Sequence, residues 1–223
     1  GRDEKIIAAW NGLMLSGLSW SARALRESSE NGFGDHGPLA NEALESAAVA
    51  FDFARGKLTQ AGNRLRSVYK DGQARFNAYL DDYAFLAAGA LDLSRAIDDP
   101  SEVEALLAQA RAWVDVVRER FAEKGAGFCF TSDDHEKLLQ RPRTQFDQAI
   151  PSGNSVMAGL LAALGELYPE TSYAAEADEL MQLLFPLVEK APQGMGEAAC
   201  AALLAVAGPI TVAGPEAAKA CAH

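Results

Sequence analysis

The chain alternates between two kinds of helical segment, and this alternation constrains its fold more than any other feature. The first kind has few or no charged residues and comprises residues 6–25, 80–97, 152–168 and 198–207. The second kind has one apolar stripe and one charged face and comprises residues 38–58, 101–121 and 171–190. A helix without a polar face needs cover on all sides, whereas an amphipathic helix lies at the surface. The pattern predicts seven helices in an inner and an outer layer.

Strict alternation of inner and outer helices is typical of an α/α toroid, so we predict an all-α fold built from helical hairpins. A four-helix bundle would have amphipathic helices throughout, and a solenoid would show a fixed repeat period. Residues 65–69 and 127–131 are predicted to be short strands, each between an outer helix and the next inner one. These β-hairpins would lie on the rim where the inner helices begin. We also predict a capping box of Ser101 and Glu104.

Composition excludes several classes of function. The 223 residues carry a net charge of −11 and no basic stripe, which argues against a nucleic-acid partner. The uncharged segments contain Asn, Ser and a Gly-Pro break, so we expect no membrane span. Three isolated cysteines have no zinc spacing, and we expect no metal and no cofactor. The location expected for such a chain is cytoplasmic.

Two aspartates begin the helix at residues 80–97. One interpretation is that Asp81 and Asp82 cap this helix and complement its dipole. The other concerns Asp82, since the helix behind it is uncharged and would desolvate its carboxyl group. Desolvation raises the pKa of a carboxyl group and suits a general acid.

A second polar cluster precedes the helix at residues 152–168. Either Ser152 or Asn154 is expected to be its N-cap, and together with Ser155 these groups could also hold a sugar hydroxyl or an anion. Asp147 lies just upstream. Arg141 and Arg143 could neutralise Asp147, contact an anionic ligand, or form rim ion pairs of little energetic weight.

The first uncharged helix contains Trp10 and Asn11 in its first turns. Trp10 is expected to be a core residue, with a platform for stacking a sugar ring as the alternative. Asn11 needs a hydrogen-bond partner, because an unpaired buried amide costs about 1–3 kcal/mol.

Several blocks together resemble a known family. They are Arg2-Asp3-Glu4-Lys5 with Trp10-Asn11-Gly12-Leu13, Leu80-Asp81-Asp82-Tyr83-Ala84, Gly127-Phe128 with Thr131, Arg141-Pro142-Arg143, Asp147, and Pro151-Ser152-Gly153-Asn154-Ser155. In this order they resemble the YyaL-like family, which is similar to spermatogenesis-associated protein 20. The resemblance implies a thioredoxin-like domain followed by an (α/α)6 barrel of the six-hairpin glycosidase type. Residues 1–208 would form the C-terminal half of that barrel, and residues 209–223 a tail with a possible short strand.

By analogy of fold, the resemblance implies a carbohydrate-related function. Glycoside hydrolysis needs two carboxylates, and Asp82 and Asp147 are our candidates for proton donor and base. The sugar would be bound by residues of the same blocks: Trp10, Asn11, Tyr83, Arg141, Arg143, Ser152, Asn154 and Ser155. The alternative is a non-catalytic binding or scaffold module. Half a ring leaves apolar helix edges uncovered, so we expect the missing N-terminal half or a second copy to cover them.

Overall fold

The computed structural model describes residues 4–136 and 140–207, and the seven predicted helices are all present in this part of the chain. The expected tail at residues 209–223 lies outside the described residues. The helices are α1 (Ala8–Glu30), α2 (Gly37–Phe53), α3 (Leu80–Ser94), α4 (Pro100–Arg120), α5 (Gly153–Leu167), α6 (Tyr173–Lys190) and α7 (Gly196–Ala207).

The helices pack in the two layers that their charge pattern predicts. The inner row consists of α1, α3, α5 and α7, in which each helix contacts the next. The outer helices α2, α4 and α6 pack mainly on α1, α3 and α5 respectively. Helix α3 lies in the middle of this arrangement, and only Asp81, Ala88 and Asp92 of its residues are not fully buried. The all-α fold of a partial toroid is therefore confirmed.

Helices α1 and α3 approach closely because glycine lies where they touch. A Cβ atom added at Gly12 would stand 2.4 Å from the carbonyl carbon of Phe85, well inside van der Waals contact. A Cβ atom at Gly89 would stand 2.6 Å from the Cβ of Leu15. Any side chain at either position would push the two inner helices apart.

The side of α1 opposite Gly12 is exposed to solvent. This differs from the prediction that an uncharged helix is covered on all sides. Trp10, Met14 and Trp20 are 66%, 58% and 55% exposed. The interpretation of Trp10 as a core residue is wrong for this chain, because Trp10 lies across the helix from Gly12 and no described element covers it. At the other end of the inner row, α7 exposes Leu203 and Leu204. Both terminal helices of the row thus present apolar surface.

Short strands lie at the rim, as predicted. They are β1 (Ile6–Ile7), β2 (Thr59–Gln60), β3 (Arg64–Lys70), β4 (Gln73–Asn77), β5 (Ala122–Glu123) and β6 (Gly127–Phe128). Strand β3 pairs antiparallel with β1, β2 and β4, and β5 pairs with β6. The turn between β3 and β4 places Asp71 and Gly72 at positive φ, the geometry of a tight hairpin.

The predicted capping box of Ser101 and Glu104 is wrong. The N-cap of α4 is Asp99, whose carboxylate accepts hydrogen bonds from the backbone N–H groups of Ser101 and Glu102. Pro100 occupies the first helical position, where its missing N–H costs nothing. Across residues 4–136 and 140–207, no helix has both the length and the apolar character needed to cross a bilayer.

Candidate functional site

Asp82 links the beginnings of α1 and α3. Its Oδ1 atom accepts a hydrogen bond of 2.9 Å from the backbone N–H of Ala9, and its Oδ2 atom accepts one of 2.9 Å from that of Tyr79. The side chain of Ser67 is a third partner. Burial raises the pKa of Asp82, while these hydrogen bonds oppose the rise. The residue is 3% exposed, so both carboxylate oxygens face protein groups.

Asp81 points to a different neighbour. Its Oδ1 atom accepts a hydrogen bond of 3.1 Å from the backbone N–H of Gly153, the first residue of α5. Burial and the charge of Asp82 raise the pKa of Asp81 to about 6, against the lowering effect of the Gly153 hydrogen bond. Asp81 therefore exchanges its proton closer to neutral pH than an ordinary aspartate.

Asp147 connects α5 with α7. Its Oδ1 atom accepts a hydrogen bond of 2.8 Å from the backbone N–H of Ser152, and its Oδ2 atom accepts one of 2.8 Å from that of Glu197. The N–H of Ala198 lies 3.4 Å from the same Oδ2 atom. Burial raises the pKa of Glu197, and the charges of Asp147 and Asp92 add to that rise.

Asp81, Asp82 and Asp147 form what we call the carboxylate chain. Between them they accept hydrogen bonds from backbone N–H groups at the beginnings of all four inner helices, α1, α3, α5 and α7. The first N–H groups of a helix lack partners within the helix and carry partial positive charge. The carboxylate chain satisfies these groups and holds the rim of the inner row together.

The carboxylates brought together differ from the pair proposed from sequence. Asp81 and Asp147 accept from the consecutive amides of Gly153 and Ser152, so they are neighbours at the start of α5. Asp82 faces α1 instead. Consecutive residues of a helix point about 100° apart, and α3 lies between α1 and α5. That placement could have indicated that Asp81, rather than Asp82, faces α5.

The small polar residues at the start of α5 are buried and satisfied. The Ser152 hydroxyl accepts a hydrogen bond from the backbone N–H of Ser155, which identifies Ser152 as the N-cap. The Asn154 amide accepts from the N–H of Phe128 and donates to the carbonyl oxygens of Phe128 and Thr144. All of Ser152, Asn154 and Ser155 are at most 3% exposed. In this structure these groups hold β6 and the loop before α5 against the helix.

Two further residues of the predicted sugar site are also bonded within the protein. The Tyr83 hydroxyl accepts a hydrogen bond of 2.8 Å from the backbone N–H of Leu65, and the ring is buried. The Asn11 side chain donates to the carbonyl oxygen of Ile7 at 2.8 Å, which supplies the partner that its amide requires. Trp10 differs from both, because most of its side chain faces solvent.

Arg141 and Arg143 contact groups other than Asp147. Arg141 donates to the carbonyl oxygens of Thr131 and Arg120, which fixes the loop after β6. Arg143 forms a rim ion pair with Glu123 at 3.2 Å. The proposal that either arginine neutralises Asp147 does not hold in this structure.

None of the predicted site residues lines either of two grooves in the described part of the chain. The structure has a groove of about 610 Å³ beside β3 and another of about 520 Å³ beside the β5–β6 hairpin, and Asp82, Asp147 and Trp10 line neither. Asp82 and Ser152 are each 3% exposed, so neither side chain opens onto solvent. Among the described residues, no three His, Cys, Asp or Glu side chains are arranged to hold a metal ion.

Comparison with curated proteins assigns the chain to a family. It is 31% identical over 175 residues to human spermatogenesis-associated protein 20, and 32% identical over 172 residues to the mouse protein of that name. Each match covers 73% of this chain. The chain belongs to the spermatogenesis-associated protein 20 family.

The relatives of this family member are much longer than the chain. The matches cover 20% of the human and mouse proteins, so the chain spans about a fifth of their length. An uncharacterized protein of Caenorhabditis elegans is 24% identical over 184 residues, 79% of this chain and 23% of that protein. No protein-family model matches the chain.

Proposed function

We propose that this segment is a non-catalytic scaffold and binding module within a longer protein of the family. The observation that carries the proposal is the bonding of Asp82 and Asp147. Both carboxylates accept hydrogen bonds from backbone N–H groups through both of their oxygens. A general acid must reach the atom that it protonates, and Asp82 is 3% exposed. A structural role for the pair fits this geometry.

The exposed face of α1 supports a place within a larger assembly of helices. Trp10 and Met14 lie one turn apart on it and are 66% and 58% exposed. Large apolar patches on soluble proteins mark contact surfaces. We propose that further helices of the longer protein cover this face, since its relatives are about five times the length of the matched region. The implied (α/α)6 barrel would supply such helices, and a second copy of this chain is the competing occupant.

The experiment compares stability with catalysis in the same variants. Asp82→Asn and Asp147→Asn are each expected to lower the thermal midpoint, because Asn keeps only one of the two oxygens that accept from backbone N–H groups. Neither the wild-type protein nor the variants should cleave a panel of nitrophenyl glycosides. A wild-type protein that hydrolyses a glycoside, together with an Asp82→Asn variant that loses turnover at an unchanged midpoint, would overturn the proposal.

A second candidate function rests on a different carboxylate. Asp81 has a pKa of about 6, is only partly buried, and lies beside Asp147 at the start of α5. Glycoside hydrolysis uses two carboxyl groups, and the one that donates the proton has a raised pKa. In this alternative Asp81, in place of Asp82, would donate the proton and Asp147 would be the base. It requires glycoside turnover that Asp81→Asn abolishes without a loss of stability.

A further inference from the structure

A polar groove lies outside the rim of the inner helices. It has a volume of about 610 Å³ and runs between β3, the last turn of α4 and the loop that contains Asp134. Arg64 and Arg66 line it from β3, and Arg120 lines it from α4. Alternate residues of a strand point to the same face, so the two strand arginines stand side by side. No member of the carboxylate chain lines this groove.

Two of these three guanidinium groups already have a carboxylate partner. Arg64 pairs with Asp134 at 2.7 Å, and Arg120 pairs with Glu119 at 3.2 Å. Arg120 also lies 3.7 Å from Asp133. These ion pairs hold two of the three arginines in place without a ligand.

Arg66 differs from the other two. Its Nη1 atom donates to the neutral side-chain oxygen of Asn77 at 2.6 Å, and within residues 4–136 and 140–207 no carboxylate lies at ion-pair distance. The residue is partly buried. A partly buried guanidinium without a counter-charge loses solvation and gains most from an anion. Arg66 is thus the arginine of this groove that has no carboxylate at ion-pair distance in the described part of the chain.

We propose that the groove binds a small molecule bearing a phosphate or carboxylate group, with Arg66 as its principal contact. The planar guanidinium presents two parallel N–H groups, which match the oxygens of either anion. The amides of Gln60 and Asn77 also line the groove and can bond neutral polar parts of the ligand. The volume lies within the range of about 300–1,000 Å³ that is usual for small-molecule sites. This site is separate from the proposed function, and neither depends on the other.

The test measures binding by calorimetry at about 20 mM salt, where exposed charges are little screened. The probes are inorganic phosphate, glucose 6-phosphate, gluconate and glucose. We expect the three anions to bind and glucose not to bind, and affinity should fall as salt is added. Tighter binding of the two phosphates identifies a phosphate site, whereas tighter binding of gluconate identifies a carboxylate site.

Variants separate Arg66 from general charge effects. Arg66→Gln should weaken anion binding about tenfold or more, which corresponds to the loss of one charge-assisted contact. Arg66→Lys keeps the charge but lacks the planar guanidinium group. Its anion affinity should lie between those of the wild type and Arg66→Gln. Arg95→Gln, at the end of α3, removes the same charge away from the groove and should leave affinity unchanged.

The proposal is overturned if no anion binds at about 10 mM, or if glucose binds as tightly as glucose 6-phosphate. It is also overturned if Arg66→Gln and Arg95→Gln weaken binding equally, because the effect would then be one of net charge. Thermal midpoints of all variants show that each is folded at the temperature of the titration.

Discussion

The carboxylate of Asp82 accepts a hydrogen bond of 2.9 Å from the backbone N–H of Ala9, which lies 73 residues earlier in the chain. The same carboxylate accepts from Tyr79, at the start of its own helix. One side chain therefore accepts hydrogen bonds at the beginnings of two inner helices that lie side by side. Its removal would leave N–H groups on both helices without an acceptor.

Replacing Asp82 with Asn should destabilise the protein. Asn has one carbonyl oxygen where Asp82 has two acceptors, and its amide group would face a backbone N–H. A buried polar group left unsatisfied costs about 1–3 kcal/mol, so the free energy of unfolding should fall by about that amount in urea titrations. The matched control is Asp98→Asn, a side chain that is 98% exposed, which should leave the denaturation midpoint unchanged. Equal midpoints for Asp82→Asn and wild type would remove the structural role.

Local patterns predict part of this arrangement, and contacts between distant segments account for the rest. The helices follow from charge and apolar spacing along each segment, and adjacent residues alone narrow the N-cap of α5 to Ser152 or Asn154. The contact of Asp82 with Ala9 joins segments far apart, so no local pattern indicates it. The assignment of Asp81 to α5 likewise needs the order of helices around α3. The exposure of Trp10 depends on what covers α1.

The stability of the protein should depend on pH through Asp81. Its pKa of about 6 in the folded protein lies above the ordinary value of 3.8, so the folded state binds more protons than the unfolded state between these values. The contribution of Asp81 to the free energy of unfolding therefore falls as pH rises from about 4 to 6. About two pKa units would correspond to roughly 3 kcal/mol, and solvent at this partly buried group reduces the effect to about 1–2 kcal/mol.

Asp81→Asn isolates this contribution. The Asn side chain keeps an oxygen that can accept from the Gly153 N–H and carries no charge. As pH rises from 4.5 to 7, we expect the unfolding free energy of the variant to increase relative to that of the wild type. Chemical denaturation at several pH values measures it. A difference that stays constant over this range would contradict a raised pKa at Asp81.

Two glycines of α1 should respond oppositely to alanine. A Cβ atom at Gly12 would lie 2.4 Å from a backbone carbon of α3, so Gly12→Ala must separate the helices and should cost about 1–3 kcal/mol. A Cβ atom at Gly17 would meet nothing within 4 Å, and Gly17→Ala should stabilise the helix by up to about 1 kcal/mol. Thermal or urea unfolding of the pair measures both. Similar effects at the two sites would mean that helix propensity, and not the contact with α3, decides the outcome.

The uncovered face of α1 should make the isolated chain self-associate. A stable contact buries at least about 1,000 Å² in total, and the exposed side chains of Trp10 and Met14 supply apolar surface for it. Light scattering at micromolar concentration should give a mass above that of a monomer. The double variant Trp10→Glu, Met14→Lys should lower this mass towards the monomer, with little change in thermal midpoint because both side chains are more than half exposed. Phe33→Glu is the matched control, since Phe33 is 77% exposed on the connection between α1 and α2. A wild-type chain that is monodisperse and monomeric, or an equal effect of Phe33→Glu, would show that this face needs no cover.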